Sequence, residues 1–306
     1  MKTIEESFER SRGLFNITVT PFDEAGEIDF KALEDNIERV IALGYDGLLI
    51  GGTYGEFAAM SLDERASLFK AVMQVVGDRV LVLLCAAGQD VRQVRDLTVL
   101  ASELGGLPMV TPPYVTEVKD EHIINFFSEI VPLSKTGVMI YNAPGIGITL
   151  SPTLIERLCD VPGVVALKQG DLGLAVIDQL VSRLAGRIRL LVASDLVMPA
   201  PLAMGFDGLS STNSCALPEL IYAIYHAAIE GDIRMAARLH RSWYPLRECA
   251  RRYGQPQTTK AVMRLRGYDG GTVRAPLTGL TAPQLAELTQ AFERMRLDPI
   301  SGIPKA

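Results

Sequence analysis

Short apolar runs alternate with amphipathic stretches over most of the chain. The apolar runs are brief and often β-branched, as is typical of strands that are buried on both faces. The runs that we predict as strands are Asn16–Thr20, Gly47–Ile50, Val80–Ala86, Met109–Thr111, Val138–Tyr141, Val164–Lys168, Leu190–Ser194 and Gly208–Ser210.

The amphipathic stretches between these runs have the signals that start helices. Asp29 precedes the stretch Phe30–Leu43, and Ser61 and Glu64 have the spacing of a capping box. Strands that alternate with helices indicate a parallel sheet, and eight such units favour a closed barrel. We therefore predict an α/β fold, a (β/α)₈ TIM barrel. An open doubly wound sheet is the alternative, but no Gly-x-Gly-x-x-Gly turn follows the first strand.

The pattern changes towards the C-terminus. The stretches Asp232–Tyr253, Thr258–Arg266 and Ala282–Arg296 have helical periodicity, and no strand pattern lies between them. We therefore predict two domains. Residues 1–231 form the (β/α)₈ barrel, which is the catalytic domain, and residues 232–306 form a small helical domain that packs on it.

Composition and charge exclude several classes of protein. The 306 residues are 48% hydrophobic and 22% charged, which is close to the globular average. A net charge of −6 without a basic run argues against nucleic acid or an anionic membrane as a partner. The first ten residues lack the apolar segment of a signal peptide, and no apolar run is long enough to span a bilayer. We expect a cytoplasmic protein that acts on a small molecule.

Cysteine and histidine give little support for a metal site. The four cysteines are scattered without zinc or redox spacing, and Cys85, inside an apolar run, is predicted to be a buried free thiol. His122, His226 and His240 fall in predicted helices, away from the strand ends, and form no His-x-x-x-His pair. We predict neither a metal nor a cofactor, while a Mg²⁺ site made only of carboxylates stays open.

Lys168 is the most informative residue for chemistry. Active sites of (β/α)₈ barrels lie at the C-terminal ends of the strands, and Lys168 ends the apolar run Val164–Leu167. Burial there disfavours the charged ammonium and makes the amine a better nucleophile, one that attacks carbonyls to form Schiff bases. The alternative from position alone is a lysine that extends to solvent or pairs with a carboxylate.

Two other strand ends also offer useful groups. Tyr141 ends the fifth predicted strand, and its phenol can move a proton between substrate and solvent. The alternative is a core tyrosine whose hydroxyl bonds to the backbone. The segment Gly51–Gly55 follows the second strand, so its backbone can approach a ligand closely and its N–H groups can bind an anion. A plain turn is the alternative there.

Several short motifs follow one another in a distinctive order, namely Thr20-Pro21-Phe22, Gly52-Thr53-Tyr54-Gly55-Glu56, Thr111-Pro112-Pro113-Tyr114, Tyr141-Asn142-x-Pro144, Ala166-Leu167-Lys168, Gly205-x-x-Gly208-Leu209-Ser210 and Arg274-x-Pro276-Leu277. Each is modest alone. Their order and spacing resemble the dihydrodipicolinate synthase / N-acetylneuraminate lyase family of class I aldolases, nearly from end to end of the chain.

The resemblance implies roles for individual residues. It implies that Lys168 holds a 2-oxo acid as a Schiff base and that Tyr141 shuttles protons to and from the imine. Thr53 then links this tyrosine to Tyr114, which in many members enters the site of a neighbouring subunit. The resemblance therefore also implies a homo-oligomer, either a dimer or a tetramer.

The resemblance also implies how the substrate is held. Thr53 and Tyr54, with their backbone N–H groups, match the segment that holds the substrate carboxylate, and Leu209 falls where a backbone carbonyl faces the substrate. Tyr54 departs from the family, which has a threonine at this position. The larger phenol is expected to reshape the pocket, and some hydratase-aldolases that act on aromatic substrates also have an aromatic residue here.

A second departure bears on the substrate. The synthases of the family have an arginine two residues after Pro144, which holds the carboxylate of the aldehyde, whereas this chain has Ile146. We expect a class I lyase that acts as an aldolase or dehydratase on a pyruvate-type 2-oxo acid. The alternatives are 4-hydroxy-tetrahydrodipicolinate synthase, a dehydratase or deaminase of a hydroxylated 2-oxo acid or cyclic imine, and a non-catalytic ligand-binding barrel.

Overall fold

The short apolar runs form parallel strands that close into a (β/α)₈ barrel. A computed structural model describes residues 3–115, 117–298 and 300–304. Each strand pairs with the next in chain order, and the last pairs with the first. The described strands are β1 (Gly13–Ile17), β2 (Gly47–Ile50), β3 (Leu81–Cys85), β4 (Leu107–Val110), β5 (Val138–Asn142), β6 (Val164–Gln169), β7 (Arg189–Val192) and β8 (Gly208–Ser211).

Helices lie between the strands and then follow one another towards the C-terminus. They are α1 (Ile4–Arg10), α2 (Phe30–Ala42), α3 (Leu62–Val76), α4 (Val91–Glu103), α5 (Asp120–Ile130), α6 (Pro152–Leu158), α7 (Leu174–Leu184), α8 (Pro199–Ala203), α9 (Pro218–Ile229), α10 (Ile233–Ser242), α11 (Tyr244–Tyr253), α12 (Gln257–Leu265) and α13 (Ala282–Arg294). Asp29 caps α2, and Ser61 and Glu64 form the predicted capping box of α3. Among these described helices, none has both the length and the apolar character needed to cross a membrane.

The core explains the continuous apolar runs. Every residue of β2, β3, β4, β5 and β6 is buried, because one face packs inside the barrel and the other packs against the helices. The helix α2 contributes Leu33, Ile37 and Val40, which are spaced to lie on one side of the helix. The ends of the strands are therefore where polar side chains can meet a ligand.

The first strand begins earlier than its apolar pattern indicates. It runs from Gly13 to Ile17, and Gly13 lies directly beside Gly208 of β8. A Cβ atom on Gly208 would lie 2.4 Å from the carbonyl oxygen of Gly13, so this close approach requires glycine. Thr20, predicted as the strand's end, instead lies in the following loop, where its hydroxyl donates to the carbonyl of Gly55 at 2.7 Å.

The prediction of one helix over Asp232–Tyr253 is wrong. The segment forms α10 and α11, which are separated at the fully buried Trp243. Pro245 lies in the first turn of α11 and has no backbone N–H, so it cannot continue the hydrogen bonding of α10. The helix α10 packs on α9, and α11, α12 and α13 pack on one another. The division into a barrel domain and a helical domain at residue 231 stays a prediction.

Candidate active site

Lys168 and Tyr141 lie side by side at the C-terminal ends of β6 and β5. They are partners in the register of the two strands. The side chain of Lys168 is buried, with 3% of its surface exposed, and its Nζ lies 3.7 Å from the centroid of the Tyr141 ring. Within the described part of the chain, Lys168 has no carboxylate partner. Neither a solvent-exposed lysine nor an ion-paired lysine fits this position.

The buried Lys260 provides a contrast. Its ammonium donates to the Glu56 carboxylate at 2.6 Å and to the carbonyls of Thr20 at 2.7 Å and Thr272 at 2.5 Å. Burial lowers the pKa of Lys260, and the Glu56 carboxylate opposes this shift. Because these acceptors use all three protons of the ammonium, Lys260 is not available as a nucleophile. The amine of Lys168 has no such acceptors among the described residues.

The hydroxyl of Tyr141, on β5, forms a hydrogen bond with a side-chain hydroxyl in the turn that follows β2. Its oxygen lies 3.2 Å from Oγ1 of Thr53, and either group can donate. Thr53 starts a 3-10 turn, Thr53–Gly55, two residues after the end of β2. The alternative of a tyrosine tied to the backbone is therefore not observed. The ring of Tyr141 lies under the Lys168 amine, and its hydroxyl meets Thr53, so an acid–base group stands beside the nucleophile.

The turn after β2 leaves backbone N–H groups free to bind a ligand. Inside the turn, the N–H of Gly55 donates to the carbonyl of Gly52 at 3.0 Å, and that of Glu56 to the carbonyl of Thr53 at 3.2 Å. The N–H groups of Thr53 and Tyr54 have no acceptor among residues 3–115, 117–298 and 300–304. Two adjacent free N–H groups suit a carboxylate.

Tyr54 adds a phenol to the same turn. Burial, with smaller contributions from Tyr141 and Asp195, raises the pKa of Tyr54 to about 12. The hydroxyl is therefore protonated at neutral pH and can donate a hydrogen bond. It makes none to any residue that the structure describes. The hydroxyl of Tyr54 is thus available to a substrate.

Tyr114 lies close to this group but does not join it within one chain. Tyr114, Tyr141 and Ile146 line a narrow crevice with Thr111 and Ile148. A Cβ atom on Gly147 would lie 2.7 Å from the Cβ of Tyr114, so glycine is required for this packing. Burial raises the pKa of Tyr114, and Arg65 opposes the shift. In the described residues, Tyr114 makes no hydrogen bond to Thr53 or Tyr141.

The position of Leu209 in the barrel is known from the pairing of its strand. It lies in β8, where its neighbours in register are Leu14 of β1 and Val192 of β7. Its side chain is fully buried, so only its backbone can face a ligand. The role of its carbonyl stays a prediction.

Asp195 has a structural role that the sequence analysis did not assign. Its buried carboxylate accepts hydrogen bonds from the Ser211 hydroxyl at 2.5 Å and from the backbone and side-chain nitrogens of Asn213 at 2.8 and 2.9 Å. Burial raises the pKa of Asp195, and these donors oppose the shift. The carboxylate ties the ends of β7 and β8 together. Its position just after a strand was the only signal in the sequence.

The prediction that His240 lies away from the strand ends is wrong. Its Nε2 lies 3.2 Å from the carbonyl oxygen of Leu196, just after β7, and 2.7 Å from Arg247. Burial, together with Arg247, lowers the pKa of His240 to about 4, so the ring is neutral at pH 7. The packing of α10 on the barrel brings it there. In the part of the chain that the structure describes, no three His, Cys, Asp or Glu side chains are grouped to hold a metal.

Comparisons with known proteins agree with this arrangement. Residues 10–295 match the dihydrodipicolinate synthetase family. A relative from Streptomyces coelicolor, 4-hydroxy-tetrahydrodipicolinate synthase 1, is 32% identical over 303 residues, which is 97% of this chain and 98% of the relative. A second from Halalkalibacterium halodurans, 4-hydroxy-tetrahydrodipicolinate synthase 2, is 30% identical and covers 91% of this chain and 96% of its own.

A solved structure gives the same result. The 4-hydroxy-tetrahydrodipicolinate synthase from the methanotroph Methylacidiphilum fumariolicum superposes with a TM-score of 0.87 at 26% identity, covering 92% of this chain and 95% of that one. The match thus extends over the barrel and the helices that follow it. The chain therefore belongs to the dihydrodipicolinate synthetase family and is a lyase of the Schiff-base-forming class.

Proposed function

We propose that this enzyme acts as an aldolase or dehydratase on a pyruvate-type 2-oxo acid, which it holds as a Schiff base on Lys168. The observation that carries the proposal is a buried amine without an ion-pair partner in the described residues, 3.7 Å from the Tyr141 ring. The amine attacks the ketone carbon, and loss of water gives an iminium. This cation accepts the electron pair of the bond that breaks next.

The neighbouring groups supply the other parts of the reaction. In an aldolase, the Tyr141 oxygen takes the proton of the substrate hydroxyl while its own proton passes to Thr53; the C3–C4 bond then breaks, its electron pair goes to the iminium, and the aldehyde leaves. In a dehydratase, the Tyr141 oxygen takes a proton from the carbon next to the iminium and returns a proton to the β-hydroxyl, so that the C–O bond breaks and the hydroxyl leaves as water. Thr53 orients the Tyr141 hydroxyl at 3.2 Å. The free N–H groups of Thr53 and Tyr54 hold the carboxylate, and the Leu209 carbonyl faces the bound acid.

A substrate screen distinguishes these reactions. We would incubate the enzyme with hydroxylated 2-oxo acids and with hydroxylated cyclic imines, and measure pyruvate release, since an aldolase releases pyruvate plus an aldehyde. Loss of water or ammonia without pyruvate release would indicate the dehydratase or deaminase. If the enzyme turns over none of these compounds and forms no pyruvate adduct, the remaining alternative is the non-catalytic ligand-binding barrel. Such small anionic substrates fit the cytoplasmic location predicted from the sequence.

Condensation of pyruvate with aspartate semialdehyde is expected to be poor. Ile146 is an apolar residue on the wall beside Tyr141, so it cannot pair with the carboxylate of the aldehyde. A hydrogen bond to a charged group is worth roughly 1.5–3 kcal/mol, which corresponds to about 10–100-fold in kcat/KM. The measurement is kcat/KM with aspartate semialdehyde for the wild type and Ile146→Arg. A gain in the variant supports this view, whereas wild-type turnover of ~10⁴ M⁻¹s⁻¹ or more would restore the biosynthetic function of the relatives.

Tyr114 is expected to act across a subunit interface, in a dimer or tetramer. Within one chain it reaches neither Thr53 nor Tyr141 by a hydrogen bond in the described residues, although Pro112 and Pro113 stiffen the segment that presents it. To test this, Tyr114→Phe subunits are mixed with Lys168→Ala subunits, and the activity of the mixture is measured. Some mixed dimers combine an intact Lys168 with an intact partner tyrosine, so activity should partly return.

The mixing experiment needs proof of exchange. Differently tagged subunits, recovered together by affinity purification, show that mixed dimers have formed. Each parent mixed with itself is the control. If mixed dimers are present but as inactive as both parents, Tyr114 serves its own subunit.

A further inference from the structure

The turn that bears Thr53 ends in a strained residue. Glu56 has φ 60° and ψ 36°, the left-handed conformation that side chains disfavour. Such a conformation persists only where the surrounding structure holds it, and it is concentrated at functional sites. The backbone N–H of Glu56 donates to the carbonyl of Thr53 at 3.2 Å. The conformation of Glu56 and the position of Thr53 are therefore linked through one short turn.

Two interactions hold the Glu56 carboxylate. One oxygen accepts from Lys260 at 2.6 Å, and the other accepts from the backbone N–H of Arg274 at 2.9 Å. Both side chains of the ion pair are almost completely buried, at 3% for Lys260 and 1% for Glu56. A buried carboxylate without its cation is very unfavourable, so the pair fixes where Glu56 can lie.

Lys260 also connects the turn to two other segments. It donates to the carbonyl of Thr20, the residue whose hydroxyl donates to Gly55 at 2.7 Å, and to the carbonyl of Thr272. One ammonium on α12 thus holds the loop after β1, the turn after β2 and the chain that follows α12.

We infer that Lys260 and Glu56 are a positioning pair, which holds the turn so that the Thr53 hydroxyl stays within hydrogen-bond distance of Tyr141. This inference rests on the proposed function, in which Tyr141 moves the proton. Neither residue touches the Lys168 amine or the Tyr141 hydroxyl. If the pair only anchors α12, its loss should lower stability and leave kcat unchanged.

The test is a double-mutant cycle with Thr53→Val and Lys260→Met. An assay that needs no second substrate is the exchange of pyruvate methyl hydrogens with D₂O, followed by NMR, because the enamine of a pyruvate Schiff base exchanges them. A small misplacement of a catalytic group costs up to about 10²-fold. We expect Lys260→Met to lower the exchange kcat by about 10–100-fold, with a smaller change in KM. In the Thr53→Val background the same change should cost less than about threefold.

A matched control separates positioning from stability. Arg266 directly follows α12, and it pairs with Glu219 at 2.8 Å and donates to the carbonyl of Ala216. Arg266→Met should lower the melting temperature without lowering the exchange kcat. If Lys260→Met does not fold, Glu56→Gln replaces it in the double-mutant cycle. This change keeps the shape of the Glu56 side chain and removes its charge.

The outcomes separate this inference from the proposed function. Equal losses from Lys260→Met in both backgrounds, or a lower melting temperature with unchanged kcat, would show that the pair does not act through Thr53, and the inference would be overturned while the mechanism stands. If Thr53→Val exchanges pyruvate as fast as the wild type, or the wild type forms no pyruvate adduct, the mechanism fails and this role fails with it. Non-additive losses, with unchanged kcat in Arg266→Met, support the inference.

Discussion

Lys168→Ala is expected to lose the pyruvate imine and nearly all activity. In the proposed mechanism the iminium is the electron sink, and no other side chain beside Tyr141 offers an amine in the described residues. Treatment of the wild type with pyruvate and borohydride should reduce the imine to a stable amine. Mass spectrometry of the digested protein should then locate the adduct on Lys168.

The buried Lys260 serves as an internal comparison for the labelling of Lys168. Both lysines are 3% exposed, so burial alone does not distinguish them. Their partners do, because the ammonium of Lys260 donates to three acceptors, whereas Lys168 faces the ring of Tyr141. Lys168→Arg keeps a long polar side chain in the pocket without a usable nucleophile and should be equally inactive. An adduct on Lys260 or on a surface lysine, or no adduct, would overturn the mechanism.

Local patterns were sufficient to predict the barrel. Strands buried on both faces give continuous apolar runs, and capping residues such as Asp29 and Ser61 mark where helices begin. The errors have local causes. Gly13 starts β1 although glycine is uncommon in strands, and Pro245 ends α10 inside a stretch with continuous helical periodicity.

The site was only partly predictable from the sequence. Lys168 and Tyr141 were recognisable because each ends an apolar strand, and the family motifs added Thr53. The pairing of Glu56 with Lys260 joins residues 204 positions apart, and no local pattern encodes such a contact. His240 was misplaced for the same reason, because only the packing of α10 brings it to the end of β7. The structure places Tyr114 beside Gly147 of its own chain, and its action across a subunit interface stays a prediction.

Tyr141→Phe is expected to preserve the fold and to lower kcat much more than it raises KM. The ring, which is 7% exposed, still packs, while the hydroxyl that we propose to move the proton is lost. General acid–base groups typically contribute about 10²–10⁴-fold, so a loss of that size is expected in the exchange of pyruvate hydrogens. Thr53→Val should cost less, because the hydroxyl of Tyr141 remains but loses its partner at 3.2 Å.

Tyr45→Phe is the matched control for this prediction. Tyr45 is also a buried tyrosine, but its hydroxyl donates to the carbonyl of Pro218 at 2.8 Å, outside the site. Removal of this hydrogen bond should cost about 1 kcal/mol of stability and leave kcat unchanged. The comparison therefore separates the loss of a buried hydroxyl from the loss of a proton carrier. If Tyr141→Phe stays within about threefold of the wild type, as Tyr45→Phe should, Tyr141 is a core residue and another group must move the proton.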